Sequence, residues 1–385
     1  MKKLFLRFMV SMAIITPFVL ASCSDDNDEP TVPPVTESEL SGSIKTSKTL
    51  DANITYTITG PVIVEDGATL TIPAGTVIKA EKGFSNYILV LQGGKIYVNG
   101  TADKPVVMTA DISNAEAGHW GGLVINGRAP LAGNTTGSTE INAAYIYGGN
   151  TPADNSGSIT YLKLEFTGAK SSADVEHNGL TLNGVGNGTI IENIYVIEGA
   201  DDAIEFFGGT VNVKNLLAVN PDDDMFDFTQ GYTGTLENAY GIWEAAYISS
   251  ESDPRGIEAD GNWDGLTPDQ QGQSNFSVVN MTIDLKLPYN TTDVKNQMQD
   301  AIKIRRGAKA TITNALIKGT GAALDLVDFT DGKGAGDATS SINLTNQLTN
   351  PILGKTTNGT GTVTFSDNNT GCASNIFAWT GYTNF

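Results

Sequence analysis

The chain has 385 residues, 40% hydrophobic and 17% charged, with 43 glycines and a formal net charge of −20. That acidity excludes a surface suited to nucleic acid or acidic headgroups, and favours cations or neutral partners. Two cysteines are too few for a disulfide framework, and 40% apolar content suffices for a narrow continuous core.

Residues 1–22 read as a targeting segment. Lys2, Lys3 and Arg7 precede an apolar run from Phe8 to Ala21 that is too short to span a bilayer as a helix and is broken by Pro17. The segment ends in Leu20-Ala21-Ser22-Cys23, which resembles a bacterial lipobox, whose cysteine becomes the lipidated first residue. Removal of three cations and no acid would take the net charge from −20 to −23. Lipidation of Cys23 leaves Cys372 without an intramolecular partner, as a small buried residue. The acidic run Ser24 to Glu29 resembles the export signal that sends lipoproteins of Bacteroidetes-type bacteria to the outer face of the outer membrane; a plain solvated tether has the same composition. Residues 23–43 thus read as an extended acidic, proline-rich tether, and 44–385 as one folded domain.

Within that domain the organisation is repetitive. Val62-Ile63-Val64, Leu70-Thr71-Ile72 and Val77-Ile78 are answered by Ile88-Leu89-Val90, Ile96-Tyr97-Val98 and Val106-Val107-Met108, at offsets of 26, 26 and 29. After the segment Gly118 to Gly127, a Gly/Thr/Asn loop at 132–140 is expected to leave the repeat and return at Ile141 to Tyr147. Ser158 to Thr167 reads as a strand. Residues 191–231 then say almost the same thing twice at a spacing of 22: Ile191 to Val196 is matched by Val213 to Ala218, and Asp201 to Phe206 by Asp223 to Phe228. Short strands at this period, without helical spacing, predict an all-β fold: a single parallel β-helix, a solenoid with inserted loops, right-handed because parallel crossovers are.

Two inward columns follow from the alignment. They are Leu180, Ile204, Phe226, Ile257, Ile302, Leu324 and Leu182, Phe206, Phe228, Ala259, Ile304, Leu326. A column of asparagines, Asn193, Asn215, Asn238, Asn280 and Asn314, reads as a structural ladder bonded along the axis. The wider gaps after Asn238 and Asn280 place inserted loops at 260–275 and 286–298. The aromatic end, Asn375 to Phe385, is expected to cover the last open sheet edges.

The segments Ala200 to Gly231, Arg255-Gly256-Ile257-Glu258-Ala259-Asp260 and Ile304-Arg305-Arg306-Gly307 resemble those of surface lipoproteins of Bacteroidetes with a right-handed parallel β-helix. More broadly they resemble the pectin-lyase-like superfamily, which contains lyases, polygalacturonases, adhesins and tailspikes. Ala200-Asp201-Asp202-Ala203-Ile204 is similar to the paired-Asp segment of polygalacturonases, but the Asn-Thr-Asp and Gly-His-Gly segments that accompany it there are missing. The resemblance implies an outer-membrane location and a fold, and leaves activity open.

The chemistry concentrates in carboxylates. Asp201, Asp202 and Glu205 lie on one coil, Asp222, Asp223, Asp224 and Asp227 on the next, with Glu258 continuing the outward column and Arg255 following Asp224. Stacked like charges about 5 Å apart repel by roughly 1 kcal/mol in water, so they need compensation. Three explanations remain open. Asp201, Asp202, Glu205, Asp223, Asp224 and Asp227 could hold Ca²⁺; they could bond turn backbones in a solvated face; or they could act as paired acid and base. Arg255 reads as neutralising Asp224, or as the base of a lyase. Lys303 is placed between Glu258 and Asp325, as part of an ion-pair ladder. His177 aligns one coil before Asp201 and reads as surface decoration. Tyr195, Tyr240, Trp243 and Trp263 are expected to face outward, as a platform for sugar rings or as covers for loops. The reading is a lipid-anchored binding or structural module on the cell surface, calcium-loaded and in contact with a polysaccharide or host glycan, with no nucleic-acid partner. The alternative is a polysaccharide lyase or glycoside hydrolase acting on acidic polysaccharide.

Overall fold

Short extended segments that each expose unpaired amides on both edges are stable only if every edge meets another. The chain solves this by winding. The computed structural model describes residues 38–172, 175–263, 270–287, 297–350 and 352–385. Their strands stack in parallel register into three faces of a right-handed parallel β-helix. The first face carries Gly83–Val90, Trp120–Asn126, Leu180–Asn183, Ile204–Phe207, Phe226–Thr229, Arg255–Asp260, Met298–Arg305 and Ala323–Asp328. The second and third faces share longer strands, Gly157–Glu165, Ile190–Ile197, Asn212–Val219, Thr235–Trp243, Asn275–Leu285, Lys309–Gly319 and Ser341–Leu348.

Most of these shared strands turn the corner at one left-handed residue. Asn193, Asn215, Asn238, Asn280 and Asn314 have φ of 60°, 59°, 59°, 57° and 53°, and Tyr161 precedes them at 51°. Asparagine tolerates that region because its side chain bonds locally. Here it bonds vertically: each Nδ2 donates to the Oδ1 one coil before, at 2.9, 2.8, 2.9 and 2.8 Å from Asn215 through Asn314. The expected ladder is present.

Inside, side chains stack as the strands do. Phe206 lies on Phe228 with centroids 5.1 Å apart and planes 11° apart, and Phe276 from the second face lies on Phe228 at 4.2 Å. The inward pairing of Leu180 with Ile204, of Phe226 with Ile257 and of Ile257 with Ile302 follows the aligned columns.

Several expectations need correction. The first strand is Glu39–Ile44, paired with the following coil, so the folded part begins inside the stretch read as tether. Val77 pairs with Val107, an offset of 30 in place of 29, because Val106 points inward with Met108. Ile302 faces Val327, so the last coil is three residues out of the predicted alignment, Leu324 is only half buried, and Lys303 meets Asp328 in place of Asp325. Residues 137–147 do not return as a coil strand. They form an antiparallel hairpin, Gly137–Thr139 with Asn142–Tyr147, outside the first face. The loops expected at 260–275 and 286–298 fall partly on 264–269 and 288–296, outside the described residues.

The C-terminal segment does not cap the helix. It runs back across the outer side of the third face as a strap containing a 3-10 turn, Ser374–Thr380. Phe377 buries fully among Tyr195, Leu217, Val219, Tyr240 and Ile242, with Trp379, Tyr382 and Phe385 packed around them. Polar anchors fix its course: Asn314 Oδ1 accepts from Thr370 N at 2.8 Å, Lys163 Nζ donates to Thr380 O at 2.6 Å, and Tyr382 Oη donates to Glu244 at 2.8 Å. The face beneath is apolar, and the strap takes it out of water.

Two outcomes follow. Asn238→Ala should cost roughly 2–3 kcal/mol, from lost hydrogen bonds plus an alanine forced to positive φ, whereas Asn238→Gly should cost only about 1–2. Thermal melts that rank glycine below alanine would contradict the backbone account. Truncation after Ala373 should expose the third face, raising binding of a hydrophobic dye and lowering Tm; unchanged dye binding would show that the strap covers nothing essential.

Candidate functional site

On the first face, strand alternation sends Leu180, Ile204 and Phe226 inward and therefore sends Thr181, Glu205 and Asp227 outward. Glu205 pairs with Asp227, Asp227 with Glu258, Glu258 with Lys303, and Lys303 with Asp328. A parallel column carries Asp202, Asp224, Arg255 and Asp300. Parallel register makes these vertical neighbours.

The lower half of this surface is neutralised. Arg255 donates from Nε to Asp300 at 3.3 Å and from Nη2 to Asp253 at 2.7 Å, and also meets Glu258. Arg305 bonds Glu258 and, at 2.6 Å, Asp260, while Arg306 bonds Asp260 at 2.7 Å. Lys303 pairs with Asp328. Asp300, Asp325 and Asp328 also approach one another, but Arg255 and Lys303 already serve that group. Burial alone would lower the Arg255 pKa; the Asp224 and Asp253 carboxylates outweigh it and leave it raised. A guanidinium so held is no base, so Arg255 stands as the neutralising partner.

The upper half is neutralised only from its edge, where Arg255 acts on Asp223 and Asp224 and Arg305 on Asp227. Oxygens of Asp201, Asp202 and Asp223 lie within 4.8 Å of one another, and so do those of Asp202, Glu205 and Asp227. Part of the set has ordinary work. Asp202 accepts from the Asp224 amide at 2.9 Å, and Asp224 from the Arg255 amide at 2.7 Å, so each tethers the next coil. Asp222 accepts from Tyr247 Oη at 3.1 Å and from Ser250 N at 2.7 Å, holding its loop. Asp223 Oδ1 and Asp227 Oδ1, in contrast, are buried atoms with no hydrogen-bond partner. Burial, then neighbouring charge, raises Asp201, Asp202, Glu205 and Asp224 well above the carboxylate range. The same causes push Asp223 and Asp227 up to about 7. Such groups take up either protons or a cation, and hard oxygen donors at this spacing suit Ca²⁺.

Both halves open on one cleft of about 570 Å³, lined on its acidic side by Glu140, Glu205, Asp223 and Asp227 and on its basic side by Arg255, Arg305, Arg306 and Lys333. Burial, with Arg255 and Arg306 adding to it, lowers Arg305 to about 10. The sequence had signalled the Arg305-Arg306 doublet only as a point of resemblance. Asp260 was signalled in the same way, within the segment Arg255 to Asp260, whereas Asp253, Glu140 and Lys333 went unnoticed because they come from loops and turns outside the strand column.

The aromatic platform is not there. Tyr195, Tyr240 and Trp243 are 5%, 2% and 0% exposed. The strap covers both tyrosines, and Trp243 points inward with Nε1 donating to Pro221 O at 3.0 Å. Trp263 is half buried and donates to Ala132 O at 3.1 Å, pinning the hairpin's base. His177 does align with Asp201, since Leu180 pairs with Ile204, but it is 1% exposed and no surface decoration. It lies between Phe84 and Tyr87, where burial lowers it to about 4. Cys372 is buried as expected, and Cys23 lies outside the described residues.

Residues 42–382 match the model of the pectate-lyase-like β-helix domain. No curated protein and no solved structure matches the chain. A match over most of the length, on a helix of parallel coils with these three faces, means that the chain belongs to the pectate-lyase-like β-helix domain family.

Proposed function

We propose that this protein is a calcium-binding β-helix module, lipid-anchored through Cys23 at the outer face of the outer membrane, which contacts an extracellular glycan through the cleft of its first face. The observation that carries the reading is the pair of unpartnered buried oxygens, Asp223 Oδ1 and Asp227 Oδ1, inside two carboxylate triads. Uncompensated buried acceptors of one sign call for a ligand of the other. Asp201, Asp202, Glu205, Asp223 and Asp227 would hold the ion, with Asp224 tethering the coil behind them. A bound cation beside Arg305, Arg306 and Lys333 would make the cleft attractive to carboxylated or sulfated sugars despite the acidic net charge. The lipobox-like Leu20 to Cys23 and the acidic run after it support the location.

Calcium should raise Tm, by the equivalent of about 2.7 kcal/mol at a hundredfold excess over Kd, and Asp223→Asn with Asp227→Asn should remove the rise. The pH dependence has a definite sign. With folded values near 7 against unfolded values near 4, the cation-free fold holds extra protons between those limits and loses stability as pH rises across them. Calcium competes with those protons, so its stabilising effect should be small at pH 5 and large at pH 8. A Tm indifferent to EDTA at pH 8 would refute the calcium reading.

A second reading is favoured by one feature, the placing of Arg305, as a charged group that could hold a uronate carboxylate, in the same cleft as Glu205, Asp223 and Asp227. In a polysaccharide lyase a cation acidifies the proton next to a uronate carboxylate and a nearby base removes it. Under that reading, incubation with acidic polysaccharides and calcium yields unsaturated products absorbing in the ultraviolet, and Arg305→Gln abolishes them. Silence of the wild-type protein across a broad polysaccharide panel leaves the binding module.

A further inference from the structure

Beneath the hairpin, next to the open cleft and sharing Glu140 and Phe207 with it, lies a small void of about 10 Å³, the room of one water or one ion. His177, Asn178, Glu140 and Glu176 are among its walls. His177 and Asn178 are 1% and 2% exposed, and each carries an atom with no hydrogen-bond partner: Nδ1 of the imidazole and Oδ1 of the amide.

Their other atoms fix what these two are. His177 Nε2 lies 3.0 Å from Phe84 O, a carbonyl that can only accept, so Nε2 carries the proton and Nδ1 presents a lone pair. Asn178 Nδ2 donates to Glu205 at 2.6 Å, so the amide is oriented with Oδ1 as the unused end. Two buried acceptors thus stand beside the carboxylates of Glu140 and Glu176, and the acidic triads lie one coil on. The ring is seated by the glycine under it: a Cβ at Gly121 would come within 2.8 Å of the imidazole, so the Trp120-Gly121-Gly122 segment makes the space that His177 fills.

We propose that this void is a second cation site, distinct from the calcium triads, which takes one first-row divalent ion such as Mn²⁺ or Zn²⁺ on His177 Nδ1, Asn178 Oδ1 and Glu140. An imidazole nitrogen among oxygens selects that class over Ca²⁺. A water molecule would have to donate to both acceptors at once, whereas an ion is coordinated by the two together. Glu140 sits in the hairpin's turn, between Thr139 and Asn142, so the ion would also fasten the hairpin to the first face.

The test is titration of the whole folded chain with ZnCl₂ or MnCl₂ in excess calcium, followed by calorimetry and by ¹⁵N spectra of histidine-labelled protein. The chain has only two histidines, and His119→Gln assigns the signals. Expected is one ion bound per chain with a large shift of His177 Nδ1, affinity lost in His177→Phe, weakened by more than about tenfold in Glu140→Gln, and unchanged in Asp223→Asn. Resistance of the hairpin to protease should rise with the ion in wild type and not in Glu140→Gln. If neither ion binds, or if one binds while His177 Nδ1 stays unmoved, the void holds water and the proposal fails. Loss of binding in Asp223→Asn would overturn it too, by assigning the ion to the triads. The calcium reading stands or falls separately, on the EDTA response.

Discussion

Every backbone amide in a parallel coil must find its partner on the coil above, and this single demand sets the rest of the structure. It fixes the register, and the register puts residues one repeat apart directly over each other. Where the stacked residues are apolar the result is a core, as with Phe206 and Phe228. Where they are asparagines the result is a hydrogen-bonded seam that holds a left-handed corner open on coil after coil. Where they are acids, repetition concentrates charge that an isolated turn would let diffuse into solvent. The candidate site is the outcome of the third case: the same geometry that makes the interior cohesive makes the outer face electrostatically demanding.

The protein meets that demand unevenly. From Arg255 downward, cations are interleaved with acids, and the column becomes a network of ion pairs. Above it no cation alternates with Asp202, Glu205, Asp224 and Asp227 in their columns, and buried oxygens are left without partners. Charge interleaving was plainly available to this fold, since two coils further on it is used. Its absence from the triads is what sets them apart from the ion-paired coils that follow.

The sequence made the repeat legible because identical chemistry recurred at 22 residues, which is why the coils from Leu180 to Ile304 could be aligned before any coordinates. It failed where the period changed. The last coil slipped by three residues because an insertion moved the repeat while leaving Leu324 and Leu326 in plausible places. The side chains with site chemistry were legible only along the strand column; Glu140 and Lys333 reach the cleft from excursions whose course no periodicity reports. The tyrosines were misplaced for a different reason. An outward position in a strand is exposed only if nothing returns to cover it, and the covering segment lies more than a hundred residues later in the chain, beyond any local pattern.

That covering segment changes how the solenoid behaves as it forms. In a bare stack each coil touches only its neighbours, so growth and fraying proceed one rung at a time. Here Thr380 is bound to Lys163, 217 positions away, and Asn384 to Glu244, 140 positions away. Residues 374–385 are therefore laced back to the middle of the stack, and the lacing can be drawn tight only after the coils it crosses have been made. A stack that would otherwise fray one rung at a time becomes, where residues 370–385 cross it, a body whose coils from Lys163 to Asn314 open only together with the strap.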